Sequence, residues 1–149
     1  MTMKKYLLII LSIIYSTITL SAQYNVDCIE SNGQTMTFRV TGYGKNAKVA
    51  TQDAEINVIK ALMFSGIPNT QQSIPMVKES ESITIKNHKA FMKDFLETGY
   101  KQVITRSVII RKFGKDQNKQ KSIDLNVTVN VPALRNELQR GGVIRKFGL

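Results

Sequence analysis

The sequence predicts an α+β fold: an antiparallel sheet of about four strands with two to three helices packed on one face. Three observations carry that prediction. From Ser122 to Val131, the residues Ile123, Leu125, Val127, Val129 and Val131 alternate with Asp124, Asn126, Thr128 and Asn130. That period of two marks a strand with one buried and one wet face. From Ala47 to about Phe64, small apolar residues return every three or four positions, as on a helix lying close to a sheet. The elements follow in the order strand, strand, helix, helix, strand, strand, helix, which suits an antiparallel sheet covered on one side.

Each element has its own signal. Tyr24–Ser31 and Gln34–Tyr43 flank Asn32-Gly33, a dipeptide that accepts the positive φ of a tight hairpin turn. In the second arm Met36, Phe38 and Val40 alternate with Thr35, Thr37, Arg39 and Thr41. Asn46 is the N-cap candidate of the first helix, whose stripe is Ala50, Ala54, Val58, Ala61, Leu62 and Ser65. Gly66 and Pro68 stop it. Ile67–Ser82 reads as a long irregular loop, with a candidate short strand at Ile83–Ile85. A second helix starts at about His88 with Asn87 as cap candidate, carries the pairs Phe91/Phe95 and Met92/Leu96, and ends at Gly99. Lys101–Lys112 is a Val- and Ile-rich strand and Gly114–Gln120 a polar loop. Pro132 suits the first turn of a last helix with Leu134 and Leu138 as its spine, ended by Gly141-Gly142. Val143–Leu149 is the candidate for a final strand.

Residues 1–22 have the order of a secretory signal. Lys4 and Lys5 precede an apolar run, Leu7–Ile14, broken only by Ser12, and Ser21-Ala22-Gln23 closes it with small residues. Cleavage is expected at Ala22/Gln23, leaving residues 23–149 as a single α+β envelope domain, periplasmic or exported. A retained anchor is the alternative, but spanning needs about 20 predominantly apolar residues. Ser12, Ser16, Thr17 and Thr19 dilute this segment below that, so no transmembrane segment is expected after cleavage. Asn25-Val26-Asp27 ahead of Cys28 excludes a lipid-attachment site.

Cys28 is the one cysteine and His88 the one histidine. No internal disulfide can form, and no zinc or copper ligand set exists. Cys28 reads either as a small buried apolar residue or as one half of an intermolecular disulfide. No nucleophile elbow is present, and Gly42-x-Gly44 lacks the remainder of a phosphate loop. Glu79/Glu81 and Asp53/Glu55 lie near lysines as solvated surface. No enzymatic activity and no cofactor are expected. An enzyme with a carboxylate-only site would need a deep cleft lined by two facing acids.

The net charge is +10, and its distribution is uneven. Residues 23–98 hold eight basic and eight acidic side chains, whereas residues 99–149 hold eleven basic against three acidic. Arg106, Arg111, Lys112, Lys115, Lys119 and Lys121 gather on one predicted hairpin. Two readings stand: solvated charges that protect a strand edge, or a docking site for an anionic partner. Nucleic acid fits the sign but not the compartment, and Phe113 is the only aromatic in the hairpin.

TFRVTGYG at residues 37–44, followed by Lys45, Ala50, Asp53, Ala54 and Ala61-Leu62, resembles the opening of small Gram-negative envelope domains. In these a strand ends in Gly-x-Gly and an Ala-rich helix follows, as in the N-terminal domain of the flagellar assembly protein FlgT and related small envelope lipoproteins. FMKDFLETGY at 91–100, VTVNVPAL at 127–134 and residues 138–148 resemble exported, uncharacterised proteins of the Bacteroidota. The resemblance implies an α+β envelope domain and no catalytic residues. The expected function is a non-enzymatic periplasmic or envelope accessory protein that binds an envelope protein through the basic hairpin and strand edge. The alternative is binding to anionic lipid, lipopolysaccharide or glycan surfaces. The residues do not specify the oligomeric state.

Overall fold

The computed structural model of the chain describes residues 24–146. The expected export segment, its Ala22/Gln23 junction and residues 147–149 lie outside the described residues. Strands β1 (Val26–Ser31), β2 (Thr35–Tyr43), β3 (Ile104–Lys115) and β4 (Lys121–Asn130) form one antiparallel sheet in the order β1-β2-β4-β3. The helices are α1 (Ala47–Lys60), α2 (Glu81–Asn87), α3 (Lys89–Glu97) and α4 (Val131–Arg140). The α+β class and the four antiparallel strands agree with the sequence reading. The helix count is higher, because the chain helps itself to a helix where a strand was expected.

The ladder between β2 and β4 is unbroken from Thr35↔Asn130 to Tyr43↔Ser122. Alternation therefore puts Met36, Phe38 and Val40 beside Leu125, Val127 and Val129 on one face, all 3 % exposed or less. Helices α1, α3 and α4 bury apolar residues in one contiguous core with this face. On the opposite face Thr37 and Thr128 hydroxyls lie 2.9 Å apart and Thr41 donates to Asp124 at 2.8 Å. Cys28, opposite Phe38, is half-buried against the core, and burial pushes its thiol pKa up.

The first hairpin turns one residue later than Asn32-Gly33 suggests. Asn32 N–H donates to the Thr35 carbonyl at 3.1 Å, so Gly33-Gln34 is the two-residue loop, and Gly33 alone carries positive φ (84°). Asn32 braces the turn from outside, its Oδ1 accepting from Thr35 N–H at 2.9 Å.

Helix α1 begins as expected, with Asn46 accepting from Val49 N–H at 2.9 Å. Ala50 and Ala54 let it lie on β2: a Cβ added to Gly42 would stand 1.9 Å from the Ala50 carbonyl oxygen. The helix then widens into a π turn over Ala61–Ser65 and ends at Gly66, φ 69°. Carbonyls of Leu62 and Met63 accept from Met76 and Val77 N–H at 3.2 and 2.9 Å, which ties the following loop down.

The expected short strand at Ile83–Ile85 is instead part of α2. Ser80 caps it, and its carbonyl accepts the Thr84 hydroxyl at 2.9 Å. Only Thr84 of this helix is buried, while Ile83 and Ile85 are exposed. Among the described residues no strand pairs with this segment, and the Ser80 cap sets it as a helix over its β-propensity. The break to α3 falls at His88 (φ −126°, ψ 41°), and Asn87 bonds Glu79 instead of capping. Phe91 and Phe95 stack with centroids 5.5 Å apart, as their spacing predicts.

The third strand starts later than Lys101, because Gly99–Gln102 forms a 3₁₀ turn that buries Tyr100 completely. Asn130 caps α4 through Ala133 N–H at 2.9 Å, with Pro132 in the first turn. The expected last strand is absent from the described part of 143–149. Gly142 takes φ 72°, Gly142 N–H bonds the Gln139 carbonyl and Val143 N–H the Leu138 carbonyl. This Schellman turn folds Val143 and Ile144 back onto the core and away from the sheet.

Candidate functional site

The basic hairpin is β3, a tight loop and β4. Asp116 builds the loop: its N–H donates to the Gln120 carbonyl at 2.8 Å and its carbonyl accepts from Lys119 N–H at 3.0 Å. Its carboxylate accepts from the N–H groups of Asn118 and Gln120 at 2.8 and 2.9 Å. A type I turn followed by one left-handed residue is a common three-residue hairpin loop, and Lys119 is that residue, φ 61°. Lys115 pairs directly with Lys121, so with Lys119 three lysines stand at the turn. Two like charges facing each other on a ladder oppose pairing.

The remaining basic residues do not join that cluster. Arg106 pairs with Thr128 and is exposed on the uncovered face, roughly 25–30 Å from Lys115 along the strand. Lys112 is exposed between them. The expected cluster is thus a stripe along one edge of the sheet.

Arg111 is engaged inside the chain. It pairs with Asp124, Nε to Oδ2 at 2.8 Å and Nη2 to Oδ1 at 3.1 Å, and Nη2 also donates to Ser122 Oγ at 2.7 Å. The hydrogen bond from Arg111 holds Asp124 below the usual carboxylate range; partial burial opposes this, and Thr41 assists it. Asp116 and Asp124 line the same shallow hollow beside Tyr43. Both carboxylates accept bonds from within the chain, Asp116 from the loop N–H groups and Asp124 from Arg111 and Thr41. Among the described residues no group of three or more His, Cys, Asp or Glu side chains converges on a metal position. Among them, too, no helix is long and apolar enough to cross a membrane.

A feature absent from the sequence reading lies on the core-facing side of β3. Helix α1 packs chiefly on β2 and β4, and β3 is the sheet edge beyond them. A groove of about 480 Å³ opens between α1 and β3. Ile104, Ile109 and Ile123 give it an apolar floor, while Lys48, Glu55 and Lys101 are among its walls. Ile109 is 57 % exposed and Ile110 50 %. Glu55 is 9 % exposed and forms no ion pair among the described residues. Next to it the fully buried Tyr100 hydroxyl closes no hydrogen bond of normal geometry. Burial, then the Glu55 charge, pushes the Tyr100 phenol up to about 12. The sequence signal for this groove was the run Val108-Ile109-Ile110, which breaks strict alternation, beside a helix face bearing Lys48, Gln52 and Glu55.

No protein-family model, no curated protein and no solved structure matches the chain.

Proposed function

We propose that this chain is a non-enzymatic accessory domain of the cell envelope that docks an anionic partner protein along the β3 edge and its basic hairpin. The observation that carries this reading is the composition of that edge. Strand β3 contains Arg106, Lys112 and Lys115 and no acid, and among the described residues its outer backbone groups face no other strand. Charges alone would serve edge protection, and so would the three register shifts of the β3–β4 ladder. Adjacent isoleucines about half exposed on the same strand do not protect an edge; they reward a partner that covers it. The compartment rests on the secretory character of residues 1–22.

The test is photo-crosslinking in intact cells from position 119 of the full chain, compared with the same probe position in a variant reversing Lys112, Lys115 and Lys121 to Glu. Loss of the crosslinked species with an unchanged circular dichroism spectrum is expected. An unchanged crosslinking pattern overturns the docking reading. Binding of purified chain to lipopolysaccharide or anionic vesicles that fades steeply with salt, with no protein crosslink, moves the function to anionic surfaces.

A further inference from the structure

We infer that the partner presents an extended acidic segment, which adds to β3 as a fifth strand and lodges an apolar side chain in the groove between α1 and β3. This rests on the docking reading above and specifies its ligand.

The groove follows from dimensions. A helix with its side chains is about 10–12 Å across, and strands are about 4.8 Å apart, so one helix covers about two strands. Helix α1 covers β2 and β4. Leu125 on β4 is 1 % exposed, whereas its cross-strand neighbour Ile109 on β3 is 57 % exposed. One strand spacing separates a closed core from an open one. A strand added beyond β3 would bring every second side chain over that floor.

The register says where it would pair. Shifts between Ile104 and Arg106 and between Ile109 and Arg111 leave Arg106–Ile109 as a regular run. Along it, side chains alternate between the uncovered face, with Arg106 and Val108, and the groove side, with Ser107 and Ile109. The incoming strand therefore offers an apolar residue beside Ile109 and acidic residues toward Arg106 on the other face.

Charge selects the occupant. Lys48 and Lys101 stand at the groove and Arg106, Lys112 and Lys115 on the strand. The one carboxylate among the groove's lining residues, Glu55, is buried to 9 % exposure. A second copy of this chain would set the same cations against one another along β3, which disfavours a symmetric edge-to-edge dimer. An acidic strand meets complementary charge, and main-chain pairing supplies affinity while alternate side-chain positions supply specificity.

The experiment titrates the full chain into fluorescein-labelled eight-residue peptides and reads anisotropy. The peptides are an Asp-Val repeat, an Asp-Ser repeat of equal charge and a Lys-Val repeat. The expected result is binding of the Asp-Val repeat about ten-fold or more tighter than either control. Ile109→Asp should weaken it about ten-fold or more, and Ile109→Ser, which adds no charge, should weaken it in the same direction. Equal affinity for the Asp-Val and Asp-Ser repeats, or no effect of either Ile109 variant, overturns the strand-and-groove inference. That failure is distinct from failure of the docking reading, which is decided by the lysine reversals and cell crosslinks.

Discussion

Arg111 and Asp124 face each other across the β3–β4 ladder, and two guanidinium nitrogens of Arg111 grip the two carboxylate oxygens of Asp124, at 2.8 and 3.1 Å. The planar fork of arginine suits this two-point contact, which lysine could not reproduce. The pair also explains how the most basic hairpin of the chain tolerates its charge: the strand β4 opposite β3 supplies the compensating acid.

The pair has a pH signature. Asp124 is held below its ordinary pKa, so it contributes stability above the unfolded value of about 3.9 and loses it as pH falls through the lower folded value. The stability gap between the natural chain and Asp124→Asn should be constant above about pH 5 and shrink toward zero in stronger acid. Urea unfolding at a series of pH values measures it. A gap that does not change with pH refutes the role given to the pair.

The N-terminal strand is fastened by a second carboxylate. Lys60 Nζ lies 2.6 Å from Glu81 Oε1, and the Tyr24 hydroxyl donates to the other Glu81 oxygen. Burial raises the Glu81 pKa, but the bonds from Lys60 and Tyr24 outweigh it and leave the net value low. Glu81→Ala should cost about 1–2 kcal/mol and speed hydrogen exchange in β1 more than in β4. Uniform acceleration across the sheet would speak against a clasp on β1.

Two glycines provide an internally controlled packing test. A methyl group at Gly42 would meet the Ala50 carbonyl oxygen at 1.9 Å and Ala54 Cβ at 2.7 Å, and α1 would have to lift from β2. Gly42→Ala should destabilise by about 3 kcal/mol or more. At Gly114 an added Cβ would come no nearer than 4.0 Å, to the Lys112 carbonyl oxygen, so Gly114→Ala should stay within about 0.5 kcal/mol. Paired thermal melts decide, and similar losses at both sites would contradict the close helix-on-strand contact.

Lys119 separates turn geometry from binding. Its φ of 61° is a conformation that glycine adopts without strain. Lys119→Gly should raise stability by up to about 1 kcal/mol. A lower melting temperature would show that the side chain, not the backbone, governs this position.

The elements were legible where their signals are local. Asn46 and Asn130 cap the helices that follow them, Phe91 meets Phe95, and Ile123, Leu125, Val127 and Val129 point into the core, because each depends on residues a few positions apart. Ile83–Ile85 misled because β-branched residues were weighed without knowing that no strand would pair with them; Ser80 was the competing signal. In the described part of the expected last strand, residues 143–146, the reading misled because Gly142 was taken as a stop, whereas its left-handed φ turns the chain back onto α4. Of the six basic residues, periodicity located the hairpin but not their partners. Asp124 lies on the same strand face as Asn126 and Thr128, and nothing in the spacing says that it answers Arg111.

By itself, the sequence determined the class of fold, the faces of its strands, the hairpin that bears the excess charge and the catalytic chemistry for which motifs are missing. The tertiary structure decided that β4 sits between β2 and β3, that Arg111 is held by Asp124, and that β3 is left as an edge with Ile109 half out of the core. The physical reason is range: period and capping act within a turn or two of chain, while strand order is set by pairings across many residues and by how many strands one helix is wide enough to cover.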